Sequence, residues 1–148
     1  MIRFGHTNLI ARDWRRLALF YESVLGCTRV LPERDLSGEW VARGSAVPGA
    51  AIRGVHLRLP GYGADGPTLE IFQYTETVKA PPPPANRTGF GHIAFVVDDV
   101  EGMRAAVLTA GGSAVGSVET VQIDGVGAIT WTYVRDPEGN IIELQRRT

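Results

Sequence analysis

Two histidines and two glutamates in this chain have the residue types and the spacing of a metal site. They are His6, Glu70, His92 and Glu143, one imidazole and one carboxylate from each half of the sequence. Imidazole nitrogens and carboxylate oxygens bind divalent first-row cations, and four such ligands leave positions open on an octahedral ion. The set predicts a metal that does chemistry on a small molecule, with Glu70 and Glu143 as the groups that could also move a proton.

The sequence around the two histidines repeats its own pattern. A segment with the apolar periodicity of a helix begins eight residues after each histidine, at Trp14 and at Val100. Asp13 and Asp99 stand directly before these segments, where an aspartate caps the N-terminus of a helix. The chain is therefore predicted to contain the same structural unit twice.

Each predicted helix is preceded by one strand-like segment and followed by three. The segments after the first helix are TRVLPE, IRGVHLRL and TLEIFQY, and those after the second are SAVGSVETV, AITWTYV and NIIELQR. We predict an α+β fold made of two βαβββ modules, residues 1–80 and 89–148, joined by a proline-rich connector at 81–88. At 148 residues the two modules would make one compact domain, 1–148.

The alternation of side chains along a strand places the predicted ligands on one face. In TLEIFQY, Glu70 lies between Leu69 and Ile71, so its carboxylate points away from the apolar side. Glu143 has the same setting in NIIELQ, and both histidines oppose the apolar residues of their own strands. One such residue alone is more simply interpreted as solvated, but inward carboxylates are costly unless they are paired or bound to a metal. The set of four favours coordination.

Two other residues could reach the same face. His56 would lie beside Glu70 if the hairpin through residues 61–66 pairs them, and Arg58, two residues on, could then meet an anionic group of a substrate. Because that register is uncertain, a surface position for His56 is favoured by about two to one. Trp40, Trp131 and Tyr133 are predicted to be core or dimer-packing residues, and Cys27 is predicted to be a small packing residue; the aromatic residues would also suit a planar ligand in a cleft.

The first module is longer than the second. The distance from histidine to glutamate is 64 residues in the first half and 51 in the second. The extra residues are placed in the glycine-rich segment 36–50, where a short helix is predicted around Glu39 to Arg43. Insertions on a repeated scaffold commonly determine specificity, so this segment is the candidate for a lid or pocket wall.

Composition limits the partners. The net charge is −1, the sequence pI is near 6.3 and no basic run is present, which argues against nucleic acid and an anionic membrane surface. A single cysteine and an N-terminus without an apolar stretch indicate a cytoplasmic protein. The expected partners are a small-molecule substrate and a second copy of the chain, as a homodimer.

Three phrases of the sequence resemble a known family. FYESVLG at 20–26, GHIAF at 91–95 and above all DPEGNIIEL at 136–144 are similar to the vicinal oxygen chelate superfamily. That superfamily includes glyoxalase I, methylmalonyl-CoA epimerase, extradiol dioxygenases and bleomycin-resistance proteins. The resemblance implies two βαβββ modules in an open, eight-stranded, cup-like mixed sheet with the helices on its outer face. It also implies a homodimer and metal ligands at His6, Glu70, His92 and Glu143.

The resemblance also implies an activity. It favours a metal-dependent lyase or isomerase of the glyoxalase or epimerase type, acting on a small carbonyl-containing substrate through a metal-stabilised enolate. A ring-cleaving extradiol-type dioxygenase and a non-catalytic, ligand-sequestering resistance protein are the alternatives. The cofactor would be nickel, cobalt, zinc, manganese, magnesium or ferrous iron. Ile10 and Tyr74 replace the Arg and Asn with which the family reads glutathione, and Glu70 stands where epimerases commonly carry Gln.

Overall fold

The computed structural model describes residues 1–148, which form two compact units, 1–80 and 81–148. Each unit contains a strand, a helix and further strands in the order that the repeat predicts. The fold is α+β with one mixed sheet in each unit, which confirms the predicted class. None of the helices has the length and apolar character needed to cross a membrane.

The first unit builds a four-stranded sheet. Its elements are β1 (His6–Ile10), α1 (Trp14–Leu25), β2 (Thr28–Leu36), α2 (Glu39–Ser45), β3 (Ile52–Arg58) and β4 (Thr68–Tyr74). The strand order is β1-β4-β3-β2, with β1 parallel to β4 and the other neighbours antiparallel. The strand that carries Glu70 thus lies between the strands that carry the two histidines of this unit.

The helix α1 begins where the sequence predicts. The Asp13 carboxylate accepts a hydrogen bond from the backbone N–H of Arg16, and Gly26 ends the helix in the left-handed conformation. The helix packs on β3 and β4. The core of the unit consists of fully buried side chains from these three elements: Leu17, Ala18, Tyr21, Val55, Leu57, Leu69 and Ile71. Since Leu69 and Ile71 face the helix, Glu70 faces the other way, as predicted.

The segment 36–50 contains the predicted short helix. The helix α2 spans Glu39–Ser45, two residues beyond the predicted end. Its Val41 is buried in a small apolar cluster with Ala50 and Ile52, and Leu36, Phe72 and Tyr74 pack against that cluster. Ile52 pairs with Tyr74 in the same alternation that pairs His56 with Glu70. The cluster therefore lies on the sheet face that carries Glu70, opposite the face covered by α1.

The second unit repeats the pattern with one more strand. Its elements are β5 (Ile93–Val96), α3 (Val100–Thr109), β6 (Ser113–Ala114), β7 (Glu119–Ile123), β8 (Gly127–Arg135) and β9 (Ile141–Arg147). The strand order is β5-β9-β8-β6, and β7 also pairs with β8. The segment predicted as one strand over 113–121 is interrupted because Val115 and Gly116 both donate their N–H groups to the Tyr133 carbonyl. The two sheets consequently hold nine strands, not eight.

The turn at 136–140 is built around a buried carboxylate. Asp136 is 2% exposed. One oxygen of its carboxylate accepts the backbone N–H groups of Glu138 and Asn140, and the other accepts the Asn140 side-chain amide. Gly139 takes a positive φ of 93°, which glycine adopts without strain. The turn fixes the start of β9 and with it the register that presents Glu143.

Replacing Asp136 by alanine is expected to destabilise the protein by about 2–4 kcal/mol, because three partly buried N–H donors lose their acceptor. Urea unfolding monitored by circular dichroism measures this change. Asp124→Ala, which removes an exposed aspartate from another turn of the same unit, is the matched control and should change stability by less than about 0.5 kcal/mol. Equal unfolding curves for the two variants would contradict the role assigned to Asp136.

Candidate metal centre

Glu70 is the centre of a polar cluster in the first unit. Asn8 of β1 and His56 of β3 are its register partners on either side. His56 Nε2 lies 2.9 Å from Glu70 Oε1, and Asn8 Nδ2 donates to Oε2 at 2.7 Å. His6 Nε2 lies 3.4 Å from the same Oε2. Glu70 is 9% exposed, so its carboxylate is buried among nitrogen groups on both oxygens.

His56 belongs to this cluster, although a surface position was the favoured prediction. The structure pairs His56 directly with Glu70, which is the alternative in which the hairpin brings the two together. The ring is half-buried, and its Nδ1 lies 2.9 Å from Thr68 Oγ1. Burial lowers the pKa of His56, and the charge of Glu70 opposes the shift only in part. The ring is therefore neutral at pH 7, the form in which imidazole binds a metal.

The donors of this cluster fit a divalent cation. One ligand atom from each of His6, His56 and Glu70 can be chosen so that all lie within 4.8 Å of one another. Bonds of about 2.0–2.2 Å to a common ion hold two ligand atoms about 3.0–3.4 Å apart at tetrahedral or octahedral angles. The His6 side chain is the most exposed of the three, at 46% against 17% for His56 and 12% for Glu70, so it has the most room to adjust. Nitrogen and carboxylate oxygen donors suit first-row metals.

The second unit presents a smaller version of the same arrangement. Glu143 of β9 has Ala94 and Tyr133 as register partners on either side. His92, directly before β5, places its Nε2 2.8 Å from Glu143 Oε2. The ring of Tyr133 lies against that of His92, with 5.0 Å between centroids. Burial and, to a lesser extent, the charge of Glu143 raise the pKa of Tyr133, so its phenol stays protonated at neutral pH.

The structure thus brings each predicted histidine to the glutamate of its own unit. The two clusters match position by position, since each histidine precedes by two residues the partner of the glutamate on the parallel strand. They differ in what surrounds the carboxylate. The amide of Asn8 and the imidazole of His56 are replaced in the second unit by the methyl group of Ala94 and the phenol of Tyr133. Glu70 is held from more sides than Glu143.

The aromatic residues of β8 are not in the core of the unit, which corrects that part of their prediction. Thr132 and Val134 are fully buried and take the core face of the strand. Trp131 and Tyr133 alternate with them, are half-buried and contact each other on the face of Glu143. Trp40 of α2 is also outside the core, with 60% of its surface exposed. These side chains are available to pack against a ligand.

The surroundings of Cys27 and Arg58 indicate what each side chain can do. Cys27 is buried, and burial raises the pKa of its thiol to about 12, with a smaller contribution from Glu22. This thiol is protonated at physiological pH and acts as a packing group, as predicted. Arg58 shares the sheet face of His56, and its Nε is buried without a hydrogen-bond partner. A guanidinium in that state has capacity for an additional acceptor.

Comparisons with known proteins agree with this architecture. The structure of a glyoxalase family protein from Bacillus cereus is 21% identical, with a TM-score of 0.82 over 99% of this chain and 94% of that one. A glyoxylase/bleomycin resistance protein/dioxygenase domain from Frankia sp. EAN1pec is 17% identical, with a TM-score of 0.63 over 100% and 93%. A glyoxalase I variant from Zea mays is 23% identical, with a TM-score of 0.68 over 99% of this chain and 45% of that one.

Sequence comparison identifies the family but no individual curated relative. Among curated proteins none matches the chain. The family model described as Glyoxalase/Bleomycin resistance protein/Dioxygenase superfamily matches residues 3–144, a range that includes both histidine–glutamate pairs and nearly all of both units. With the same repeated unit in the structure, the match over this length leads to one conclusion: the chain belongs to the glyoxalase/bleomycin resistance protein/dioxygenase superfamily.

Proposed function

We propose that the protein is a metal-dependent lyase or isomerase of the glyoxalase or epimerase type that acts on a small carbonyl-containing substrate. The observation that carries this proposal is the pairing of a histidine with a strand glutamate at matching positions in both units. A non-catalytic binding protein has no need of two such pairs. Proton transfer next to a carbonyl needs both a cation and a carboxylate, and this chain has groups for each.

The proposed metal ligands are His6, Glu70, His92 and Glu143, all on one divalent ion. Their support is the arrangement within each unit, where Nε2 of His6 or His92 lies within 3.4 Å of an oxygen of that unit's glutamate. A bound divalent metal would supply Lewis-acid polarisation of the substrate carbonyl. Nickel, cobalt, zinc, manganese, magnesium and ferrous iron all accept nitrogen and oxygen donors of this kind.

The two glutamates are proposed to have different roles, Glu70 as a fixed metal ligand and Glu143 as the group that moves the proton. Both oxygens of Glu70 have nitrogen neighbours, His56 on one and Asn8 with His6 on the other, so this carboxylate is fixed in place. Glu143 has the His92 ring as its close partner and is freer to move. Glu143 would take the proton from the carbon next to the carbonyl, while the C–H electron pair shifts toward the carbonyl oxygen. Returning the proton to the same carbon from the opposite face would complete an epimerisation. Returning it to the former carbonyl carbon would complete an isomerisation if the first carbon bears a hydroxyl, whose proton passes to the former carbonyl oxygen.

The substrate is proposed to carry an anionic group but not to be a glutathione adduct. The buried and unpartnered Nε of Arg58 lies on the face of His56 and could meet a carboxylate or phosphate. Ile10, half exposed, has no polar group to offer, and Tyr74 packs against the cluster under α2. The two positions at which the family binds glutathione through Arg and Asn therefore lack those side chains in this protein.

A ring-cleaving dioxygenase is the second candidate, and one observation favours it. His6, His56 and Glu70 form a set of two histidines and one carboxylate, the ligand type of non-haem iron(II) oxygenases. Such a site would bind a catechol through its two neighbouring oxygens.

We also propose a cytoplasmic homodimer. Large apolar side chains such as Phe90, Val96 and Leu19 are well exposed, and a second copy of the chain could cover them.

The test combines metal content with hydrogen exchange. Protein purified without added metal is expected to retain about one equivalent of a divalent first-row metal. With a panel of 2-oxo aldehydes and 2-substituted acyl thioesters in D₂O, at least one substrate should exchange its carbon-bound hydrogen for deuterium, and a chelator should stop the exchange. Absence of exchange with every substrate, together with oxygen uptake on catechols by the iron-loaded protein, would replace this proposal by the dioxygenase. A protein that retains no metal and turns over none of these substrates would favour the non-catalytic binding protein.

A further inference from the structure

We propose that His56 is a metal ligand, which with His6 and Glu70 completes a site of two histidines and one carboxylate within residues 1–80. The proposed four-residue centre does not include this side chain. The inference rests on the proposed function only in requiring that a metal is bound. It adds the claim that the first unit by itself holds the ion, whatever the second unit contributes.

The first observation that supports His56 as a ligand is the register of the sheet. His56 and Glu70 are direct partners on antiparallel strands, so their side chains leave the same face with their Cβ atoms about 4.5–5.5 Å apart. The distance of 2.9 Å between His56 Nε2 and Glu70 Oε1 is that of a hydrogen bond, and it is close to the separation of about 3.0 Å between neighbouring ligand atoms on an octahedral ion. The rings of His6 and His56 meet edge to face, with 5.4 Å between centroids, so both imidazoles converge on this carboxylate.

The hydrogen bond of His56 carries the second step. Its Nδ1 lies 2.9 Å from Thr68 Oγ1, on the strand that also carries Glu70. Without a metal, Nε2 carries the hydrogen and donates it to Glu70. If an ion took the place of that hydrogen, Nδ1 would carry the ring hydrogen and donate it to this hydroxyl, which leaves the Nε2 lone pair for the ion. Metal-binding histidines commonly have their other ring nitrogen fixed in this way by an oxygen acceptor. The side chain is thus oriented for coordination before a metal arrives.

The apolar surroundings carry the third step. The His56 ring meets Phe72 edge to face at 6.2 Å, and Phe72 packs against the cluster formed by Val41, Ala50 and Ile52. This packing restricts the rotamers of His56 and keeps its Nε2 toward the carboxylate. In the second unit the corresponding position is Tyr133, which offers a phenol in place of an imidazole. A third ligand of this kind is therefore a property of the first unit.

The chain has three histidines, which makes a direct experiment practical. Protein labelled with ¹⁵N in its histidine rings is titrated with ZnCl₂, and the resonances are assigned from His→Phe variants. We expect the Nε2 resonances of His6 and His56 to move to metal-bound positions together, with saturation at one equivalent. The same two shifts should persist in the His92→Phe protein, because that change leaves residues 1–80 intact.

Affinity gives a second readout. His56→Phe keeps an aromatic ring against Phe72 but removes both nitrogens, and it should weaken Zn²⁺ binding at least about tenfold. Zinc binding that shifts His6 and His92 but not His56, with unchanged affinity in His56→Phe, would overturn the inference and leave the proposed function standing. Loss of the His56 shift in the His92→Phe protein would also overturn it. A wild-type protein that binds no Zn²⁺, Ni²⁺ or Co²⁺ would overturn both proposals together.

Discussion

Replacing Glu143 by glutamine is expected to lower the turnover number by a factor of about 10²–10⁴, the usual contribution of a general base. Glutamine keeps the size of the side chain and an oxygen that can face a metal, but it takes up no proton at neutral pH. Because His6, His56 and Glu70 remain, metal content should be close to that of the wild type. Steady-state kinetics and metal analysis of the purified variant measure the two effects separately.

The matched control for this variant is Glu101→Gln, which makes the same change at an exposed position in the first turn of α3. It should leave the turnover number within about twofold of the wild type, since surface substitutions away from the chemistry have small effects. If Glu143→Gln turns over substrate as fast as this control, the proton carrier lies elsewhere, and Glu70 becomes the first candidate. Simultaneous loss of metal and fold would indicate a structural role.

Replacing Glu70 by alanine is expected to weaken metal binding by more than about 100-fold, beyond the usual effect of changing a group that only supports a ligand. The carboxylate is the group on which His6, His56 and Asn8 all converge. Without it, the two imidazoles have no anionic partner to offset the charge of the ion. Activity should disappear with the metal, and added Zn²⁺ or Ni²⁺ at micromolar concentration should not restore it.

Competition with a chromophoric chelator measures this loss. Glu39→Ala removes a glutamate whose side chain is 88% exposed on α2 of the same unit, and its metal affinity should equal that of the wild type. Wild-type affinity in Glu70→Ala would exclude the first unit as the metal site. A partial loss of about tenfold would mean that Glu70 orients the histidines and is not itself a ligand.

The positions of the two glutamates could be predicted because each lies in an unambiguous pattern. Glu70 and Glu143 are flanked by large aliphatic residues that pack under the helices, and a strand can then present its carboxylate in only one direction. The helix starts were equally clear, since the aspartates at 13 and 99 accept the hydrogen bonds of a first turn. Local chemistry alone determines these features.

The position of His56 depends on the register of β3 against β4, which the residues near His56 do not determine. The loop over residues 59–67, with its three glycines, is too long for a defined two-residue turn to set the register of β3 against β4. A shift of one residue would place His56 beside an apolar residue, not beside Glu70. The available signal was that Val55 and Leu57 match Leu69 and Ile71 in a common buried layer, which excludes a shift of one residue.

The aromatic residues of β8, predicted to pack in the core or in a dimer interface, lie outside the core for a different reason. Along the strand Trp131 and Tyr133 alternate with Thr132 and Val134, so the two pairs face opposite sides of the sheet. In the structure Thr132 is buried and bonds to backbone carbonyls, so a small hydroxyl side chain occupies the core layer under α3. A polar residue whose hydroxyl is satisfied locally can take a core position, and the aromatic residues are then left for the other face.

The helix α2 is attached to the sheet mainly through one buried side chain, and this affects which parts of the chain can change during evolution. Val41 is its buried residue, and the rest of the helix is partly or fully exposed. Mutations in this segment can alter the surface next to Phe72 and the ring of His56 at little cost to folding, while the strands that carry the ligands stay intact. Under the proposed function, substitutions at the exposed positions of α2 would therefore change the preference for substrate, while the buried Val41 and the strands would keep the proposed metal ligands in place.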